Sequence, residues 1–246
     1  MEYDLWAPRY VEIQAEFGFA FEREERSAER LLEGLSEAGR ADPLGRIGRR
    51  LAGREAVVVG RAPRAGPPPL WQRPATGRPL AVIAADGATT ACLDAGIVPD
   101  VIVTDLDGPV ASEVGANARG ALVVVHAHGD NASAIARWLP EFTGELAGSW
   151  AGPPRPGLID VGGFTDGDRA AYLAEHVGAA RILLWAFDFA KVEDAAPGAR
   201  ARKLAKLKWA QRLLGELAER GRAPVDEWRP DGTVRPFHPP TGPATQ

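Results

Sequence analysis

The chain has 246 residues, 45% apolar and 25% charged, enough for one large α/β domain with a substantial core or for one domain plus an appendage. Its formal net charge of −4 gives no electrostatic case for nucleic acid or an anionic membrane as partner, and its single cysteine, Cys92, excludes an intramolecular disulfide. No apolar run approaches the ~20 residues that span a bilayer; the start, Met1 to Trp6, carries neither a basic nor an apolar signal region, so a cytoplasmic protein is expected.

Residues 1–20 are rich in aromatics, with Trp6, Tyr10, Phe17 and Phe19, and are expected to pack on the main domain. Glu22 to Ala38 has helix-forming composition, with Leu31, Leu32 and Leu35 on one face and Gly39 as its stop. Ala56 to Gly60 reads as a buried first strand, and 61–79 as an irregular loop punctuated by proline and glycine. Further strands are expected at Leu80–Ala84, Val101–Val103, Ala121–Val125, Leu158–Val161 and Arg181–Ala186. Helices are expected at Ala88–Ala95, Asn131–Leu139, Asp168–His176 and Ala199–Arg220.

The alternation of strands and helices predicts an α/β fold. It would have a mainly parallel open sheet, helices on both faces, and helical additions at the N- and C-terminal ends. The expected organisation is an N-terminal helical and aromatic segment (1–54), an α/β domain (55–222) and a Pro/Gly-rich tail (223–246) without regular structure.

The chemistry gathers where strands end. Asp86, Asp105 and Asp107 follow apolar strands, where an open α/β sheet holds hard cations and phosphates. Asp105 and Asp107 lie two apart, so in extended geometry they face the same way, with Leu106 turned into packing. With Asp130 they are the candidate Mg²⁺ ligands; for Asp86 and Asp130 a turn or cap role is equally compatible. Asp100, after Pro99, reads as a turn or strand-entry residue.

His126 and His128, also two apart, are candidates for phosphate donation or for proton transfer from an attacking hydroxyl, against a structural role at the strand end. With one cysteine and no further nearby histidine, a zinc site is not expected. The block Gly162 to Arg169 offers unencumbered backbone N–H groups and a helix N-terminus to an anion, with Thr165, Asp166 and Asp168 as alternative caps and Arg169 within reach of a phosphate. Lys191, Lys203, Lys206 and Lys208 read first as a solvated helix face and second as triphosphate ligands. Phe164, Trp185, Phe187 and Phe189 read first as core and second as stacking surfaces for a flat heterocycle.

Three ordered blocks carry a resemblance. They are Ala85-Asp86-Gly87-Ala88 with Gly96 to Gly108, His126-Ala127-His128-Gly129-Asp130-Asn131, and Gly162 to Ala170. Together they resemble the archaeal 6-hydroxymethyl-7,8-dihydropterin pyrophosphokinase family (MptE-like) over roughly residues 55–215, and more distantly the thiamine pyrophosphokinases. The resemblance implies Mg²⁺-dependent transfer of pyrophosphate from ATP to a reduced pterin alcohol, with AMP released, serving tetrahydromethanopterin or folate synthesis. It implies Asp105, Asp107, His126, His128 and Asp130 as the catalytic group, and Asp86, Gly87, Asn131, Gly163, Thr165, Asp166, Asp168 and Arg169 around the nucleotide. No nucleic acid or membrane partner is expected, and a homo-oligomer is compatible with the sequence.

Thiamine pyrophosphokinases carry a second all-β domain, for which the residues after 186 leave no room. The alternative within the class is nonetheless a thiamine pyrophosphokinase; outside it, a non-catalytic nucleotide-binding module or a nucleotide-sugar-dependent transferase. The family's Gly-x-Gly-Pro-Ser type turn is Gly60-Arg61-Ala62-Pro63-Arg64 here, so Arg61 or Arg64 is expected to reach phosphate by side chain where a second glycine would have admitted backbone.

Overall fold

A computed structural model describes residues 3–61, 68, 77–192 and 197–238. Its strands are β1 (Glu55–Val59), β2 (Leu80–Ala85), β3 (Val101–Thr104), β4 (Leu122–Ala127), β5 (Leu146–Trp150), β6 (Leu158–Ile159), β7 (Arg181–Trp185), β8 (Val225–Trp228) and β9 (Val234–Pro236). They form one sheet in the order β6-β5-β4-β3-β2-β1-β7-β8-β9. Every pairing is parallel except β8 with β9. The chain runs outward from β1 to β6 and then returns to place β7 against β1, so strand order reverses between β1 and β7. Reversals of this kind open a crevice at the carboxyl ends of the strands.

Helices cover both faces, as the alternating pattern requires. The helices are α1 (Tyr3–Phe17), α2 (Phe21–Gly34), α3 (Glu37–Arg40), α4 (Pro43–Leu51), α5 (Ala88–Asp94), α6 (Val110–Ala118), α7 (Ala132–Trp138), α8 (Asp166–His176) and α9 (Pro197–Arg220). The strands bury residues of both parities, because each face is covered. Ala56, Val58, Ile83 and Val103 pack with α1, α4, α8 and α9, while Val57, Val82, Ile102 and Val123 pack with α2 and α5–α7. Among the described residues no helix is long and apolar enough to cross a membrane.

The N-terminal aromatics do pack on the sheet domain. Trp6 is fully buried and donates its indole N–H to Ala151 O at 2.9 Å. The helix expected over 22–38 ends sooner, at Gly34; Gly39 lies inside α3, its N–H bonded to the Ser36 hydroxyl, which caps that short helix. The region expected as an unstructured tail supplies β8 and β9. Val225, Trp228 and Phe237 are buried, and Asp226 accepts from the Arg181 guanidinium at 2.6 Å. This apolar burial and a paired aspartate outweigh the local proline and glycine content. Asp100 is a strand-entry residue, its carboxylate accepting the Val82 N–H at 2.8 Å.

Candidate active site

Three aspartates converge at the ends of β2 and β3. Asp86 follows β2 in the left-handed region (φ +43°), its N–H bonded to Val103 O at 2.8 Å. After β3 the chain does not continue extended. Leu106 also adopts positive φ (+66°), its N–H donating to the Thr104 hydroxyl, and the Asp107 N–H donates to Asp105 Oδ1. Asp105 and Asp107 are therefore brought together by a tight turn, and strand alternation plays no part in it. Leu106 is buried in the core as expected, with 4% of its surface exposed. Positive φ is unfavourable for a leucine and concentrates at functional sites. Gly108 completes the turn, since a Cβ there would collide with the Asp86 carboxylate.

One carboxylate oxygen from each of Asp86, Asp105 and Asp107 lies within 4.8 Å of the others. Burial and the neighbouring Asp105 charge raise the Asp86 carboxyl above its ordinary range. Burial, Asp105 and Asp86 push Asp107 up to about 6. Asp86 Oδ1 is buried without a hydrogen-bond partner. Mutually repelling carboxylates with an orphaned oxygen form an all-oxygen donor set that fits a hard divalent cation. Asp130 stands apart from this trio. Its side chain is 78% exposed, and it pairs with His128 Nδ1 at 3.0 Å. As a cation ligand it is replaced by a role on the histidine.

His128 bridges the two aspartates. Its Nε2 is 3.3 Å from Asp105 Oδ2. Burial works against a charged ring there, but the hydrogen bond and charge of Asp105, with Asp130 and Glu24, raise its pKa. Asp105 is lowered in turn, against its own burial, by the His128 bond. His126, on β4, is buried against the Ser149 hydroxyl at 3.1 Å; desolvation, with the nearby Arg169 and His128 charges, lowers it well below its usual value. The Asn131 amide, expected near nucleotide, is consumed by backbone. It accepts from His128 N–H and donates to Asp105 O and His126 O at 2.9 and 2.7 Å, locking the β3 and β4 ends together.

The glycine block is a built turn. Gly162 and Gly163 have φ near +90°, and a Cβ on Gly163 would strike the Arg169 backbone. The Asp168 carboxylate accepts the N–H groups of Phe164 and Thr165 at 2.6 and 2.8 Å and the Thr165 hydroxyl. Thr165 and Asp168 thus cap α8, and a direct role for their side chains on nucleotide is replaced by this one. Arg169 is buried, donates to Gly162 O at 3.3 Å, and keeps its Nε without a partner. Asp166, half-buried, feels the trio. Burial and the Asp105 and Asp86 charges raise it well above the usual range. Gly87 lets Arg61 approach, since a Cβ would lie 2.8 Å from its guanidinium, and Arg61 Nη1 stands 3.9 Å from Asp86 Oδ2. Arg64 lies outside the described residues.

Of the aromatics, Trp185 is core, set edge-on to Trp228 at 5.4 Å. Phe187 and Phe189 pair with each other at 5.8 Å. Phe164 instead joins Phe17 and Phe19 at 5.1 and 6.2 Å, and Phe19 meets the His128 ring at 6.5 Å.

Sequence reasoning missed two acids. Glu113, on α6, is fully buried with neither carboxylate oxygen in a hydrogen bond; burial and Asp86 push it up to about 8. Glu24, on α2, is buried beside His128; desolvation raises it, opposed by His128 and the Gly129 amide. Both sit on buried helix stripes, Glu24 with Ser27, Ala28 and Leu31, and Glu113 with Val110, Ala116 and Asn117. A charged residue on an otherwise buried stripe was the available signal.

Three carboxylates gathered at the strand ends of a mainly parallel sheet set this site within an α/β protein. The profile of the family described as 6-hydroxymethylpterin diphosphokinase MptE-like matches residues 30–194. A 6-hydroxymethyl-7,8-dihydropterin pyrophosphokinase of Methanothermobacter thermautotrophicus is 38% identical over 93% of this chain and 100% of its own length. One of Pyrococcus furiosus is 38% identical over 93% of this chain and 99% of its own. One of Methanocaldococcus jannaschii is 32% identical over 89% and 97%. The chain belongs to the MptE-like 6-hydroxymethylpterin diphosphokinase family. Among solved structures, a MAf glycosyltransferase from Magnetospirillum magneticum AMB-1 covers 80% of this chain and 38% of its own, with TM-score 0.46 and 17% identity.

Proposed function

We propose that the protein is a Mg²⁺-dependent pyrophosphokinase that moves the terminal diphosphoryl group of ATP onto the hydroxymethyl oxygen of 6-hydroxymethyl-7,8-dihydropterin. The alcohol oxygen attacks the β-phosphorus, the bond from that phosphorus to the α-phosphate oxygen breaks, AMP leaves, and the hydroxyl proton passes to a base or water. The observation that carries this reading is the convergence of Asp86, Asp105 and Asp107 within 4.8 Å in a chain of this family.

Those aspartates would hold Mg²⁺, which when bound offsets phosphate charge as it builds on the leaving group. The protein's own part is positioning and charge stabilisation. Arg61, flanking Asp86, presents N–H donors to phosphate oxygens, while the His128 ring, with both nitrogens held by Asp105 and Asp130, fixes and partly neutralises those carboxylates. His128 can also carry a proton at Nε2 or Nδ1. Asn131 holds the ends of β3 and β4 in register for both groups. The Phe19 ring beside His128, packed with Phe164, offers an apolar surface on which a flat pterin ring could stack.

Among the described residues after β7 the strands β8 and β9 extend the same sheet instead of building a separate β-domain like that of thiamine pyrophosphokinases, which favours the pterin over thiamine. The test is competition. With ATP and Mg²⁺, equal amounts of the reduced pterin alcohol and thiamine are offered and products identified by mass. Pterin diphosphate is expected, with thiamine unchanged; thiamine diphosphate as the main product overturns the substrate.

A further inference from the structure

Among the lysines of the basic C-terminal region, Lys206 is the half-buried one and packs its ammonium over the Phe164 ring. Lys191, Lys203 and Lys208 are exposed, and Lys191 stands 4.0 Å from Asp188. Lys206 is half-buried on α9, its Nζ 5.7 Å from the Phe164 ring centroid, at the N-terminal entry to α8. Among the described residues its ammonium forms no hydrogen bond and no ion pair. Its charge nevertheless reaches Asp107, whose ionised form it favours, and His126, whose protonated form it opposes.

The position is held rather than incidental. α9 is fastened on either side of Lys206: the Arg202 guanidinium donates to Phe17 O at 3.3 Å, and the Trp209 indole donates to Glu16 Oε2 at 2.6 Å. Arg202 also lies over the Phe17 and Phe19 rings at 5.2 and 5.4 Å. An ammonium held in place without a carboxylate partner is a ready site for an anionic oxygen. The helix that carries it lies beyond the residues matched by the family profile, 30–194.

We propose that Lys206 binds the phosphate chain of the nucleotide from the side opposite Asp86, Asp105 and Asp107, so that the polyphosphate lies between the cation-holding carboxylates and this ammonium. The proposal rests on the nucleotide-dependent reading above. Lysine serves phosphate as a compact point charge, and loss of one such charge-assisted contact costs about tenfold in affinity. The chemistry recognised is the anionic oxygen of a nucleoside triphosphate, and of the diphosphate carried away on the product.

The experiment measures binding of the α,β-methylene analogue of ATP, which resists cleavage between the α- and β-phosphorus, with Mg²⁺ and without pterin. Wild type, Lys206→Met and Lys206→Arg are compared by calorimetry, with steady-state KM for ATP and pterin alongside. Expected are analogue binding and ATP KM weakened about tenfold in Lys206→Met, largely restored in Lys206→Arg, and an unchanged pterin KM. Analogue affinity equal to wild type in Lys206→Met overturns the assignment, as does a rise confined to the pterin KM. Failure of wild type to bind the analogue at all would instead remove the nucleotide reading on which it rests.

Discussion

His128 and Asp105 are joined through Nε2 and Oδ2 at 3.3 Å, and the other face of the same ring is held by Asp130. His126, two residues back and with its ring 6.2 Å away, is shut off from solvent beside Arg169. The pair therefore divides charge, with His128 favouring the protonated form and His126 the neutral one.

Ring-proton NMR reads this division directly. His128 should titrate above the ordinary histidine value, and His126 should stay neutral well below it. The signs for stability are opposite. The raised His128 stabilises the fold below the unfolded-state value and loses that contribution as pH rises through its folded pKa. The depressed His126 costs stability as pH falls below the unfolded-state value. A single shared midpoint near the free-histidine value contradicts the assignment.

Asp105→Asn and Asp107→Asn keep shape and remove a hard anionic ligand. Each should lower turnover at least about a hundredfold, because preorganised charge at the reacting phosphates supplies much of the rate enhancement in a site of this kind. In the protein without metal, Asp107 titrates at about 6, so Mg²⁺ affinity should fall as pH drops through that value. Near-normal turnover with unchanged Mg²⁺ dependence in both variants would defeat the metal assignment.

Glu113 bears on stability. Its folded pKa of about 8 exceeds its unfolded value, so its favourable, protonated state is present at low pH and lost as pH rises through about 8. The melting temperature of the metal-free protein should decline from about pH 4.5 to about pH 8 and level off above it. Glu113→Gln, neutral at every pH, should flatten that decline and raise the midpoint at the alkaline end by roughly 3 °C. Parallel pH profiles for the two proteins would remove Glu113 as the cause.

Gly163→Ala forces a side chain into φ +90° and against the Arg169 backbone. The expected loss is at least about 2 kcal/mol of stability in urea unfolding. Asp168→Ala, which strips the α8 cap, should cost about 1–2 kcal/mol. Wild-type stability in Gly163→Ala would show that the turn relaxes freely.

Much of the architecture was legible because buried parallel strands write themselves as apolar runs. β2, β3 and β4 end where the sequence pattern places them, within a residue or two; Asp86, Asp105 and His128 follow at once, while His126 lies inside β4. β5, Leu-Ala-Gly-Ser-Trp, was not legible. It is short and half small or polar, and Gly148 is demanded by Leu158, Leu35 and Leu31 packing close on it, a tertiary reason invisible in local pattern. β8 hid among proline and glycine because its burial comes from β7 and Trp185, distant in sequence, and β9 is a short, exposed edge strand paired only with β8. In the site, the trio was readable as residues but its geometry was not, since a strained Leu106 replaces the extended alternation that spacing implies. Glu24 and Glu113 were lost for one reason. In runs such as Glu-Arg-Glu-Glu-Arg a charge reads as solvated face, and only the helical phase against Leu31, or Val110 for Glu113, separates the buried acid from its exposed neighbours.

Attack at the β-phosphorus is the central claim, and it fixes the nucleotide product. Following the reaction of ATP, Mg²⁺ and 6-hydroxymethyl-7,8-dihydropterin by ³¹P NMR reads that product without coupling enzymes. AMP should appear in step with a pterin diphosphate, with both signals absent in Asp105→Asn. ADP with a pterin monophosphate would contradict the claim, since that pair of products means transfer of the γ-phosphoryl group alone.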